Sequence, residues 1–182
     1  MVKWVLRMRM RMAAGMMMLG LLLPAAGMAA GQVVSAVPRL DLNRYMGAWY
    51  EVARYPDKRE KRCVSDAAVL YAPGDKPHRF SVVTSCRIQG DNPDAWNASG
   101  KMDKSGDGRL TESFLWPFYA KYWVLAVGPA YEWALVGSPN HKTLWVLSRT
   151  AVMKPEVLAE VEAKAGAEGF DPAKLVMVSQ RH

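Results

Sequence analysis

Between Gly47 and Arg149 the chain repeats one theme: short runs rich in Val, Leu, Tyr, Trp and Phe alternate with clusters of Gly, Pro, Asp and Asn. Regular spacing of apolar runs by turn residues is how an antiparallel barrel or sandwich is written in sequence. It predicts strands near Ala48–Tyr55, Val64–Tyr71, Arg79–Arg87, Ala95–Met102, Arg109–Leu115, Lys121–Val127, Tyr131–Gly137 and Thr143–Ser148, with no helix between them. After Pro155 the period changes. Val157, Leu158, Val161 and Ala165 fall on one face of a helix that ends near Gly166 or Gly169, and Lys174–Val178 closes the chain as a short strand. Eight strands can close into a tube with room for one small ligand, whereas a sandwich fills its middle with side chains. The expected fold is all-β: an eight-stranded antiparallel up-and-down barrel with a C-terminal α-helix and a short final strand.

The N-terminus follows a different grammar. Lys3, Arg7, Arg9 and Arg11 form a basic head, Met12–Leu23 an apolar run, and Pro24–Ala29 a tail of mostly small residues. This order reads as a secretory signal peptide over residues 1–29, followed by a linker at 30–39 and the folded domain at 40–182. The apolar run is shorter than the roughly twenty residues that span a bilayer. Without residues 1–29 the chain carries 20 Lys and Arg against 17 Asp and Glu, a net charge of +3 rather than +7. Those charges are mixed, with no basic run longer than Lys61-Arg62, so nothing points to nucleic acid. No cysteine lies at the cleavage site to carry a lipid anchor, and the expected location is the periplasm, in association with the outer membrane at most.

The chain has two cysteines, Cys63 and Cys86. Export to an oxidising compartment favours a disulfide between them. If the second and third strands fold back between Gly74 and Asp75, residues whose numbers sum to 149 face one another. Cys63 then opposes Cys86, Val69 opposes Phe80, and Ala67 opposes Val82, so hairpin and cysteine count agree.

Three blocks carry a family resemblance. Gly47-Ala48-Trp49-Tyr50-Glu51-Val52-Ala53-Arg54 resembles the Gly-x-Trp first-strand signature of the lipocalins. Tyr122–Val127 with Tyr131–Gly137 is similar to their sixth and seventh strands, and Leu144–Thr150 to the eighth with its terminal arginine. The similarity runs from about Leu40 to the C-terminus and is densest in the bacterial branch, related to plant temperature-induced lipocalins and apolipoprotein D. Gly128-Pro129-Ala130 departs from the family, which usually has an acidic residue there. The resemblance implies that Gly47, Trp49 and Arg149 are structural. Trp49 would lie across the closed end with Arg149 over its ring, a cation–π contact worth about 0.5 to 2 kcal/mol.

The resemblance also implies an inward face. Transferred residue by residue, it comprises Trp49, Glu51, Ala53, Ala67, Val69, Phe80, Val82 and Thr84. It continues with Trp96, Ala98, Leu110, Glu112, Phe114, Tyr122, Val124, Ala126, Ala134, Val136, Trp145 and Leu147. Small residues among aromatic ones should leave volume for a guest. Glu51 and Glu112 are costly in a dry core, so one of them, or Tyr122, is expected to meet a polar head group. A register slip of one residue would turn any strand's set outward. The implied function is binding, storage or transport of a fatty acid or lysophospholipid in the cell envelope, serving membrane maintenance, by a monomer or homodimer without cofactor or catalysis. The alternatives are a lipocalin-type isomerase or de-epoxidase, which would need a cavity thiol or the Glu51–Glu112 pair, and a haem or pigment binder.

Leu115-Trp116-Pro117-Phe118-Tyr119 is the most unusual connection. Trp116, Phe118 and Tyr119 at the barrel mouth would serve as a membrane contact, a pairing surface for a second copy, or a lid over the cavity. His78, His141 and His182 lack metal-ligand spacing. Asp103–Gly108 has the composition of a calcium loop but not its closing Glu, and reads as a hairpin turn.

Overall fold

A computed structural model describes residues 32–181; the expected signal peptide lies outside them. Eight strands form where apolar residues alternate: β1 (Gly47–Arg54), β2 (Cys63–Pro73), β3 (Arg79–Ile88), β4 (Asn92–Met102), β5 (Arg109–Leu115), β6 (Phe118–Val127), β7 (Trp133–Gly137) and β8 (Leu144–Ser148). Each pairs antiparallel with the next, and β1 pairs with both β8 and β2, so the sheet closes into a barrel. Closure removes the unpaired edges an open sheet would expose. A single-turn helix, α1 (Leu42–Tyr45), precedes the barrel, while α2 (Pro155–Ala167) and β9 (Val176–Met177) follow it. The turn-forming Asp103–Gly108 segment links β4 to β5, with Gly106 N donating to Asp103 O.

Alternation gives the barrel two apolar layers. Inside lie Trp49, Val69, Phe80, Val82, Ala98, Leu110, Val124, Ala134, Val136, Trp145 and Leu147. Outside, Val52, Leu125, Trp133, Leu135, Leu144 and Val146 pack with Val161 and Ala165 of α2 and with Phe170. Of the segment read as a linker, Val34 is buried in this outer layer, while Val37 packs against the inner one and exchanges backbone hydrogen bonds with Val124 and Gly108.

The lower end is closed by side chains. Arg149 lies with its guanidinium 3.6 Å from the centre of the Trp49 ring. Its Nη1 donates to Ala48 O at 2.7 Å and its Nη2 to Arg44 O and Met46 O at 2.7 and 2.8 Å. Trp49 Nε1 donates to Tyr45 O at 2.8 Å. Gly47 has φ +96°, and a Cβ there would stand 3.3 Å from Arg149 Nη1, so both backbone and arginine ask for glycine. In the Gly128–Ala130 loop the missing acid is replaced by Glu132, whose Oε2 accepts from Ala130 N at 2.9 Å.

The β2–β3 register differs from the expected one. Val69 pairs with Thr84, Tyr71 with Val82 and Pro73 with Phe80, an offset of four residues from the sum rule. Ala72 and Pro73 stay in the strand, and the chain turns at Lys76–His78, where Arg79 N donates to Lys76 O. An even offset preserves the face, so Val69, Phe80 and Val82 still point inward. The disulfide forms by another route. Two irregularities between Cys63 and Ala68 move the start of β2 so that Cys63 pairs with Ile88 and reaches Cys86 diagonally, at a Cα–Cα distance of 5.6 Å.

Bulges also change parity. A register shift between Glu51 and Ala53 leaves Glu51 inward but places Ala53 in the outer layer and turns Arg54 toward Glu51. A second, between Val124 and Ala126, puts Ala126 outside. Two of the small residues expected to hollow the interior therefore lie outside it.

Candidate functional site

The open end of the barrel is framed by the 55–62, 89–91 and 138–143 connections and by a two-residue turn, Trp116-Pro117, between β5 and β6. Beneath the 55–62 connection lies a cavity of about 30 Å³, room for about one water. Its apolar wall is Val69, Trp96, Phe114, Val136, Trp145 and Leu147. Its polar wall is Glu51, Arg59, Glu60, Tyr71, Thr84, Glu112 and Tyr122. Eight of the fifteen residues expected to bind ligand thus meet there: Glu51, Val69, Trp96, Glu112, Phe114, Tyr122, Val136 and Trp145; Phe80, Val82, Ala98, Val124 and Ala134 belong to the packed interior outside it.

 

Ala67 is buried outside the cavity, its carbonyl accepting from Gln180 Nε2 at 2.9 Å, and Ala53 faces the outer layer. The lower half is filled rather than hollow because Tyr45, Tyr71 and Phe80 pack inside it, the Phe80 ring lying where a Cβ on Gly100 would stand. Ring centres lie 5.1 Å apart for Tyr45–Tyr71 and 5.8 Å apart for Tyr71–Phe80.

Two polar groups stand in the upper half. In the first, Arg54 holds two carboxylates, with Nη1 3.2 Å from Glu51 Oε2 and Nε 2.9 Å from Glu60 Oε2. Trp145 Nε1 donates to Glu60 Oε1 at 3.2 Å. Burial, and then the negative charge of Glu60, push the Glu51 carboxyl well above its ordinary range, against the pull of Arg54. In the second, Arg59 Nη2 donates to the Tyr122 hydroxyl at 2.7 Å, its guanidinium 5.0 Å from the Phe114 ring centre. Asp57 pairs with the same arginine at 3.3 Å. Glu112 lies below, and burial raises its carboxyl to about 7, opposed by the Tyr71 hydroxyl and the Arg59 charge. Its Oε1 has no hydrogen-bond partner among the described residues.

Arg54, Arg59, Glu60, Tyr45 and Tyr71 were not in the expected set. Arg59 and Glu60 belong to the charged run Asp57–Arg62, and such a run between strands ordinarily reads as solvated surface. Arg54 was hidden by the bulge. Tyr71 shares the parity of Val69 and could have been read from alternation.

The Trp116-Pro117 tip does not fold over the cavity, which corrects the lid expectation. Leu115, Trp116, Phe118 and Tyr119 are 70%, 79%, 72% and 47% exposed, and the cover is the 55–62 connection. Among the described residues, no three His, Cys, Asp or Glu side chains are grouped to hold a metal ion.

A family profile described as "Lipocalin-like domain" matches residues 40–180. The outer membrane lipoprotein Blc of Escherichia coli K12 is 38% identical over 153 residues, covering 81% of this chain and 83% of that protein. Temperature-induced lipocalin-1 of Arabidopsis thaliana is 33% identical over 152 residues, covering 78% and 80%. Insecticyanin from the tobacco hornworm Manduca sexta shares the fold with a TM-score of 0.64 at 22% identity, covering 80% of this chain and 84% of that one.

Proposed function

The chain belongs to the lipocalin family, and we propose on that premise that it is a non-enzymatic carrier of a small hydrophobic or amphiphilic molecule, of the fatty acid or lysophospholipid class, in the cell envelope. The observation that carries this reading is the upper cavity, where apolar and aromatic walls meet a few convergent polar groups under a removable cover. A cavity of about 30 Å³ cannot hold an acyl chain. Loading therefore requires the 55–62 connection to lift, breaking the Glu60–Trp145 and Arg59–Tyr122 hydrogen bonds. Both cysteines are joined in the disulfide, which leaves no thiol for the isomerase alternative.

The envelope location is supported by the relatives' description as outer membrane lipoproteins and by the signal-like N-terminus. The exposed Leu115–Tyr119 tip stands at the open end, where an aromatic cluster suits the interface of a bilayer. It would let the barrel exchange its ligand with a membrane. Native mass spectrometry of protein purified from its host, followed by organic extraction, tests the reading. A co-purified amphiphile supports it; protein that is always empty and does not bind fluorescent fatty acids overturns it.

A further inference from the structure

We infer that the polar wall of the upper cavity is a site for an organic cation, a primary or quaternary ammonium group, and that Arg59 occupies it as an internal substitute when no ligand is bound. The inference rests on the carrier reading and names the head group that reading leaves open.

The lining favours a cation. Three acidic side chains, Glu51, Glu60 and Glu112, line the cavity beside one guanidinium, that of Arg59; burial holds Glu51 and Glu112 toward their neutral forms, which a cation would ionise. Arg54 is already shared by Glu51 and Glu60. Glu112 is 2% exposed and lines the cavity; the Tyr71 hydroxyl stands beside its carboxyl, but its Oε1 has no hydrogen-bond partner among the described residues. A buried acceptor in this state costs free energy that a ligand donor or cation would recover.

The aromatic groups make the same case. Phe114, Tyr122 and Trp145 surround the polar wall, and ring faces attract cations, most strongly when water is excluded. Arg59 already shows this mode of contact, lying over Phe114 and bonded to Tyr122. Yet its side chain is 44% exposed and tied to Asp57 at the surface, so it can leave without stranding a buried charge. An anion entering here would oppose ionisation of Glu51 and Glu112 and compete with Asp57 for Arg59.

Proton release would accompany binding. Glu112 faces Arg59 of the connection, Tyr71 of β2, Tyr122 of β6 and Tyr45 of α1, while Glu51 faces Arg54 and Glu60. A cation in direct contact with Glu112 Oε1, an atom that Arg59 does not bond, lowers that carboxyl from about 7 and frees a proton at neutral pH.

The test is calorimetric titration of the full mature chain at pH 7 with dodecyltrimethylammonium, dodecanoate, dodecanol and tetramethylammonium, each in phosphate and in Tris buffer. The alkylammonium should bind about tenfold more tightly than dodecanoate, with an enthalpy that depends on the buffer because a proton leaves. Arg59→Ala should tighten that binding, and Glu112→Gln should weaken it and abolish the buffer dependence. Comparable binding of tetramethylammonium assigns the site to a free amine, and binding of the alkyl form alone assigns it to an amphiphile head. Dodecanoate binding as tightly as the alkylammonium, or no proton release, overturns the cation site and leaves the carrier reading standing. Failure of all three alkyl probes overturns both.

Discussion

Trp145 Nε1 donates to Glu60 Oε1 at 3.2 Å, so the connection that covers the mouth is fastened to the eighth strand from inside the barrel. Glu60 also pairs with Arg54, which in turn holds Glu51. The cover and the barrel wall thus share one buried charge group.

That sharing sets unequal costs for its members. Arg54→Met would strand two buried carboxylates and should destabilise by about 3 to 5 kcal/mol. Glu60→Gln keeps an acceptor for Trp145 and leaves one guanidinium with one carboxylate, so it should cost under about 1 kcal/mol. Urea unfolding at pH 7 checks the contrast, and equal losses would mean that the three charges do not act as a group.

Glu112 gives the stability a pH signature. Its ordinary value is 4.5 and its folded value about 7, so between them the folded chain binds more protons than the unfolded one. Stability from this group is fully present below about 4.5 and lost as pH rises through about 7. Burial of Glu51 acts in the same direction. Glu112→Gln does not titrate and should gain on the native chain by up to about 3 kcal/mol across this window. Denaturation of both proteins at several pH values measures it.

At the closed end, Arg149→Met removes the contact with Trp49 and leaves the carbonyls of Arg44, Met46 and Ala48 without their shared donor. The expected loss is about 2 to 3 kcal/mol. Arg149→Lys should recover less than half, since one ammonium cannot spread over three carbonyls as a planar guanidinium does. Chemical denaturation of the two variants decides this.

Trp116→Ser with Phe118→Ser should leave unfolding within about 0.5 kcal/mol of the native chain, because both side chains are exposed. Liposome co-sedimentation should fall about tenfold if the tip is the membrane contact. Unchanged co-sedimentation would remove that role.

Replacing Cys63 and Cys86 by Ser should cost about 3 kcal/mol, the loop-closure value for a separation of 23 residues. The loss should appear in denaturation midpoints under non-reducing conditions.

Much of this was legible one residue at a time. Val69, Phe80 and Val82 were placed inward despite a wrong register, because an error of four residues preserves parity. Trp49 and Arg149 met as the family signature implied. Ala53 and Ala126 were placed on the wrong side, since a bulge adds a residue without leaving a local mark in the sequence. Arg59 and Glu60 carry no inward signal in the sequence, because charged residues in a connection are usually solvated, and only the fold of that connection turns them inward.

Elements and their order follow from the residues alone, because alternation and turn chemistry act over a few neighbouring positions, while the inward face of each strand was implied by the family signature. Parity beyond each bulge, the filling of the lower barrel by Tyr45, Tyr71 and Phe80, and the fastening of the mouth by Glu60 depend on contacts between segments distant in the chain. Those contacts exist only once the barrel has closed, so tertiary structure alone decided them.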